Sequence, residues 1–391
     1  MAPEHPSAET LRLFAGGRLA GEERAAVLAH LALPCPACAA KARRLAAAPR
    51  PPAPPEGSSA YDAVFARSLA ITTAAAHALG RERLRAEGLW SELERRSPAQ
   101  RLYLIERDSA FHSWALVERL IQLAEAAGWR DPRRALELSQ LAAVLANRLD
   151  PALRPPGLAG DLRAAALRNL AHALTLGHDY PAAERALDHA WKALEQGSDD
   201  AGDEARLLRQ EASLHFSLGD FRTAACLLRP ACRGFRRIGD RHEEGRTLYQ
   251  LGLATGYLAP GAGAELAEQA LDLIDRRREP RLILAARHAL IWFANDGGEP
   301  QRALAMLDAS RTLYDQFDGT LPQLFQRWLE GRISRGLGDL ESAEPIFKAA
   351  WRDFRDYGFN RDSTLVSLDL AELYLALGDS RRAGRLLRAV G

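Results

Sequence analysis

The chain has 391 residues, of which 47% are apolar and 26% charged, the balance of a folded chain rather than a disordered one. Its 52 Lys and Arg nearly cancel its 51 Asp and Glu, which disfavours a nucleic acid as the main ligand. No run of about 18 apolar residues occurs, so no membrane span is expected; with no signal-peptide pattern in MAPEHPSAET and only four cysteines, the expected setting is a reducing cytoplasm.

Residues 1–45 read as a small helical module. Cys35 and Cys38 stand in a CxxC, with His30 upstream and His5 as the one other Cys or His in the segment. Three readings are open: two small helix fillers, a redox pair, or two ligands of a tetrahedral metal site. A redox pair normally starts a helix in a βαβ unit, and no strand pattern surrounds this one. A segment this short also buries too little apolar surface to fold without a staple, which favours metal. The stretch from His5 to Cys38, with LRLFAGGRLAGEE at 11–23, resembles the zinc-binding anti-sigma family. The spacing His-x4-Cys is one residue longer than that family's. The resemblance implies one structural zinc held by His5, His30, Cys35 and Cys38, with no open position for metal catalysis.

Residues 46–59, AAAPRPPAPPEGSS, carry five prolines and predict an extended linker. Residues 60–128 predict long helices that cap the repetitive segment beginning at residue 129. Among them, 110–128 is amphipathic, with Phe111, Trp114, Leu116, Val117, Leu120, Ile121 and Leu123 as apolar anchors.

From residue 129 to 391 the chain repeats itself. GDFRTAACLLRPA (219–231), GEPQRALAMLDAS (298–310), GDLESAEPIFKAA (338–350) and GDSRRAGRLLRAV (378–390) share one pattern, joined by HDYPAAERALDHA (178–190) and the looser APGAGAELAEQA (259–270). The alanine falls at Ala183, Ala224, Ala264, Ala303, Ala343 and Ala383, giving steps of 41, 40, 39, 40 and 40 residues. Four positions on stand Leu187, Leu228, Leu307, Phe347 and Leu387, with Glu268 the exception. A turn, a small residue and then a large apolar one is what a helical hairpin requires. With LYQLGLATGY (248–257) and LDLAELYLALGD (368–379), the segment resembles the tetratricopeptide repeat family, at a period near 40 instead of about 34. The resemblance implies an all-α fold: a right-handed α-solenoid of about six to seven hairpins, WRDPRRALELSQLA (129–142) being a degenerate first one.

No catalytic constellation is present: GxxxxGK[ST], GxSxG and HExxH are all missing, and Cys226 and Cys232 read as core residues. The expectation is therefore a non-enzymatic cytoplasmic protein-binding scaffold, and the N-terminal resemblance adds an anti-sigma-like regulator with a sigma factor as partner. The alternatives are an accessory subunit for a separate effector enzyme and, less favoured, a nucleic-acid binder using the arginine-rich 276–281 and 381–388. A homodimer through the C-terminal hairpin is a further expectation. The family resemblance implies that the first helix of each hairpin lines a groove. That nominates Arg168, His172, Arg209, Phe216, Arg246, Tyr249, Tyr257, His288, Trp292, Trp328, Arg332 and Arg335 as contacts for an acidic, partly apolar peptide. Arg332 and Arg335 are expected to be removable together with little loss of folding.

Overall fold

The structure, a computed structural model, describes residues 5–15, 19, 23, 26, 27, 30, 60–128, 131–153, 155–317 and 320–390. Among these, every regular element is helical, and the chain divides into two compact units, Met1–Asp150 and Pro151–Gly391.

The first unit contains α1 (Ala8–Ala15), α2 (Ala60–Glu94), α3 (Pro98–Arg107), α4 (Trp114–Ala127) and α5 (Pro132–Ala146). Ser97 starts α3 with a reciprocal capping box: its hydroxyl accepts from Gln100 N, and the Gln100 side chain accepts from Ser97 N. The helix expected over 110–128 begins as a 3-10 turn at Ser109–Phe111, capped by Asp108, before α4 starts. Leu116, Val117 and Leu120 are buried where α4 meets α2 and α5. α5, in the stretch where the repeats were expected to begin, lies within this unit and packs on α3 and α4 with Leu138, Leu141, Ala142 and Leu145 buried. The N-terminal module is equally attached: Leu11, Phe14, Leu19 and Val27 form a core that takes in Leu69 of α2, while Phe14 meets Phe65 edge-on. The expected linker at 46–59 lies outside the described residues.

The second unit is six helical hairpins among the described residues: α6 (Leu158–Leu176) with α7 (Tyr180–Leu194), α8 (Ala201–Ser217) with α9 (Phe221–Ile238), and α10 (Arg241–Gly256) with α11 (Pro260–Leu273). Then come α12 (Pro280–Asp296) with α13 (Pro300–Asp315), α14 (Thr320–Gly336) with α15 (Leu340–Asp356), and α16 (Asn360–Ala376) with α17 (Ser380–Val390).

The Gly-Asp pairs close these hairpins. Gly219, Gly338 and Gly378 sit at φ 81°, 83° and 77°, where a side chain would be strained. The following Asp then donates its N–H five residues back, as Asp220 does to His215 O at 2.9 Å and Asp379 to Tyr374 O at 2.8 Å. The same Asp carboxylate accepts an N–H of the next helix, Thr223 for Asp220 and Arg382 for Asp379.

The repeating alanines are interior, with Ala183, Ala224, Ala303 and Ala343 fully buried, as are Leu307 and Phe347. The third hairpin departs from the expected register by one residue. There Gly263 and Ala267 occupy the buried positions, so Ala264 is partly exposed and Glu268 points to solvent. The reason is a close helix crossing: a Cβ at Gly263 would lie 2.4 Å from Gly256 Cα. Successive first helices also touch one another, α6 with α8, α10 with α12, α12 with α14 and α14 with α16. No comparable contact joins successive second helices among the described residues, so the first helices form the inner face.

Candidate functional site: the inner face of the second unit

Aromatic side chains of the first helices, joined by Phe221 and Phe354 of second helices, form a continuous row. Phe216 of α8 packs 5.2 Å from Phe221, which stacks on Tyr257 at 4.3 Å and 6°. Tyr257 leads to Trp292 at 6.4 Å, Trp292 to Trp328 at 5.1 Å, and Trp328 to Phe354 at 5.9 Å. His288 joins the row edge-on to Trp292 and Phe325, its Nδ1 sharing a 2.8 Å hydrogen bond with the Tyr314 hydroxyl. Burial, followed by the charge of Arg332, lowers the His288 pKa to about 4, so the ring is neutral at pH 7.

Exposure along the row is graded. Tyr257 is 45% exposed and Trp292 half-buried, whereas Trp328 is a core residue. Trp328 was expected to line the groove; it is instead packed among Phe347, Phe354, Val366 and Leu370, with its indole N–H on Asp369. Tyr249 is packed against the core of the third hairpin, where burial pushes its phenol well above the usual range, with Tyr257 adding in the same direction.

The arginines carry the electrostatics. Arg332 donates to Asp369 and, through its other nitrogen, to both oxygens of Asp296 at 2.9 Å, while its guanidinium stands 4.2 Å over the Trp292 ring. Arg335 reaches Asp369 at 3.1 Å and Glu372 at 2.7 Å. Burial opposes the Arg332 charge, but Asp369 and Asp296 outweigh it and hold its pKa above the usual arginine value. These two arginines link α14 to α12 and α16 by ion pairs.

Arg168 and His172 lie on α6, Arg209 on α8 and Arg246 on α10. Arg209 binds Glu243 at 2.5 Å and Arg246 binds Glu279 at 2.7 Å. Burial leads in lowering the His172 pKa to about 4, and Arg168, Arg246 and Arg209 add to it. Glu243, Glu279, Asp296 and Asp369 escaped the sequence reading, although a signal existed: arginine and carboxylate recur 33 to 37 residues apart on neighbouring first helices.

Elsewhere, His5 Nδ1 and His30 Nε2 stand 3.4 Å apart with their rings at 86°. Cys35 and Cys38 lie outside the described residues, and among the described residues no three potential ligands gather. Cys232 is buried as expected, but Cys226 is exposed, because six positions turn it to the other side of α9. Among the described residues no helix is long and apolar enough to cross a membrane.

No protein-family model matches the chain, and no curated protein does. Among solved structures it is similar to a Rap protein complexed with Competence and Sporulation Factor, at 15% identity and TM-score 0.56, covering 71% of this chain and 76% of that one. It is also similar to NprR in complex with its cognate peptide NprX, at 14% identity and TM-score 0.54, over 70% and 77% of the two chains. Aspartyl phosphate phosphatase F from Bacillus subtilis aligns over 100% of this chain and 95% of its own, at 11% identity and TM-score 0.56. The likeness establishes the fold, a tetratricopeptide-like helical-repeat architecture.

Proposed function

We propose that this protein is a non-enzymatic regulator that binds a peptide or an extended protein segment along the inner face of its second unit. The observation that carries the reading is the row from Phe216 through Tyr257 to Trp292, aromatic surface left accessible on a rigid, ion-paired wall. Aromatic rings give much contact area at small entropic cost and anchor protein interfaces more often than other side chains. Two of the similar structures are complexes, a Rap protein with Competence and Sporulation Factor and NprR with its cognate peptide NprX, which supports the same use of the fold here.

The N-terminal module extends the reading. Two nitrogen ligands on a tetrahedral zinc at 2.0–2.1 Å lie about 3.3 Å apart, and His5 and His30 stand at 3.4 Å. The pair fits two positions of a site that Cys35 and Cys38 would complete, and the bound ion would staple the module rather than react. The resemblance of this module to anti-sigma factors makes a sigma factor the specific partner to look for. Capture on the full chain, with mass spectrometry of what is retained, tests the proposal. A protein or peptide whose retention falls when Tyr257 and Trp292 are both changed to Ala supports it. Retention of nucleic acid alone, or of a partner indifferent to those changes, overturns it. An effector enzyme retained through the same residues would identify the scaffold as an accessory subunit.

A further inference from the structure

We propose that the outer side of α9 docks an acidic helix of a partner protein along a row of four arginines. This site is separate from the inner-face groove and does not rest on it.

α9, FRTAACLLRPACRGFRRI, holds five arginines and no Asp or Glu. Its apolar side is buried through Ala224, Leu228, Ala231, Cys232 and Phe235. Arg222, Arg229, Arg233 and Arg237 stand on the opposite side, and all four are exposed. Steps of seven, four and four residues place them in one straight row about 22 Å long, with the exposed Cys226 among them. Among the described residues none of the four meets a carboxylate; only Arg236, beside the row, is paired, to Glu244 at 2.8 Å. On other second helices exposed cations such as these find an acid within a turn. Arg302 pairs with Glu299 at 2.9 Å and Arg311 with Asp308 at 2.9 Å on α13. Lys348 pairs with Glu344 at 2.6 Å on α15, and Arg382 of α17 with its capping Asp379 at 3.1 Å.

The arrangement works against the free helix. Arg229 and Arg233, and again Arg233 and Arg237, stand four residues apart, the spacing at which like charges repel across a helix surface. The helix dipole welcomes cations in the last turn but opposes Arg222 in the first. Acids laid along the row relieve both, and the chain itself supplies none there. Spacing then selects the partner. A second helix has the same rise per residue, so carboxylates at steps of seven, four and four meet the guanidinium forks one for one. A nucleic acid fits less well, because the row holds no aromatic ring on which a base could stack and the whole chain is nearly neutral at +1.

The test uses the full chain and three labelled probes. One is an alanine-based helical peptide with Glu at steps of seven, four and four. The second has the same composition with its Glu residues scattered around the helix, and the third is a short DNA duplex. Fluorescence anisotropy at low salt reads binding, since exposed ion pairs are screened as salt rises. Four exposed ion pairs should let the patterned peptide bind about tenfold tighter than the scattered one. Arg229→Gln/Arg233→Gln should abolish that advantage, with circular dichroism checking its fold; if it fails to fold, Arg222→Gln/Arg237→Gln takes its place. Arg381→Gln/Arg385→Gln, which removes as much charge from α17, should leave the advantage intact. Equal affinity for the two peptides, tighter binding of the duplex, an equal loss in the α17 variant, or no binding by either peptide would overturn the proposal.

Discussion

Trp328 donates its indole N–H to Asp369 at 2.7 Å, and the same carboxylate receives Arg332 and Arg335. One buried acid on α16 thus ties down the largest core side chain of α14 and two of that helix's arginines. With Asp296 on α12 at the far end of Arg332, a single ionic chain crosses three successive first helices.

Removing Asp369 should therefore be costly. Asp369→Ala leaves Arg332 short of a counter-charge at 12% side-chain exposure, a situation that destabilises by about 3–5 kcal/mol. Arg332→Ala should cost less, because Asp369 keeps Arg335 and the Trp328 N–H and Asp296 keeps the Trp292 N–H. Urea unfolding followed by tryptophan emission measures both. A loss of less than about 1 kcal/mol in Asp369→Ala would show that the chain of ion pairs does not brace the helices.

The hairpins were legible in the sequence because their signals are local. Gly-Asp specifies a left-handed residue followed by a helix cap, and the alanine five positions after the pattern's opening residue specifies a close crossing. What escaped depends on helix rotation. Trp292 and Trp328 lie on consecutive first helices about one helical turn apart in the 40-residue register, and one keeps an accessible face while the other is enclosed by α15 and α16. Arg332 and Arg335 were recognised as inner-face residues, but their partners lie 34 to 37 residues away and could be paired only once the helices were superimposed. His5 and His30 were singled out together, and they do meet.

The crossing of α10 and α11 gives a sharp packing test. Gly263→Ala places a Cβ 2.4 Å from Gly256 Cα, where backbone rather than a flexible side chain must yield. A loss of about 1–3 kcal/mol is expected. Gly261→Ala, two residues earlier with nothing within 4 Å of its new Cβ, should be neutral or gain up to about 1 kcal/mol. Thermal midpoints of the two variants check the pair; equal effects would mean that the close approach is not what Gly263 serves.

Zinc is the prediction for the N-terminal module. Purified full-length protein should carry close to one equivalent by metal analysis, and Cys35→Ser with Cys38→Ser should abolish it. His30→Ala should lower the metal content and loosen the packing of Phe14 on Phe65 and Leu69, read as faster proteolysis within residues 1–59. Metal-free wild-type protein with an intact module would refute the site.

Acid should weaken the second unit through two partly buried histidines. His172 and His288 both have folded-state pKa values of about 4 against 6.5 in the unfolded chain. Between those values the unfolded chain binds the proton and the folded chain does not, so stability is complete above pH 6.5 and declines as pH falls toward 4. At pH 5 the loss amounts to at most about 2 kcal/mol per histidine relative to pH 7. His288 meets the Tyr314 hydroxyl and the charge of Arg332, and His172 the charges of three arginines, so these charges oppose protonation of both rings. Carboxylate titrations also contribute to acid unfolding, so the comparison is with the double variant His172→Gln/His288→Gln, in which the histidine part is removed. Wild type should lose more stability than the variant between pH 7 and pH 5, by urea midpoint at each pH. Parallel curves for the two proteins would mean that neither histidine is held neutral by the fold.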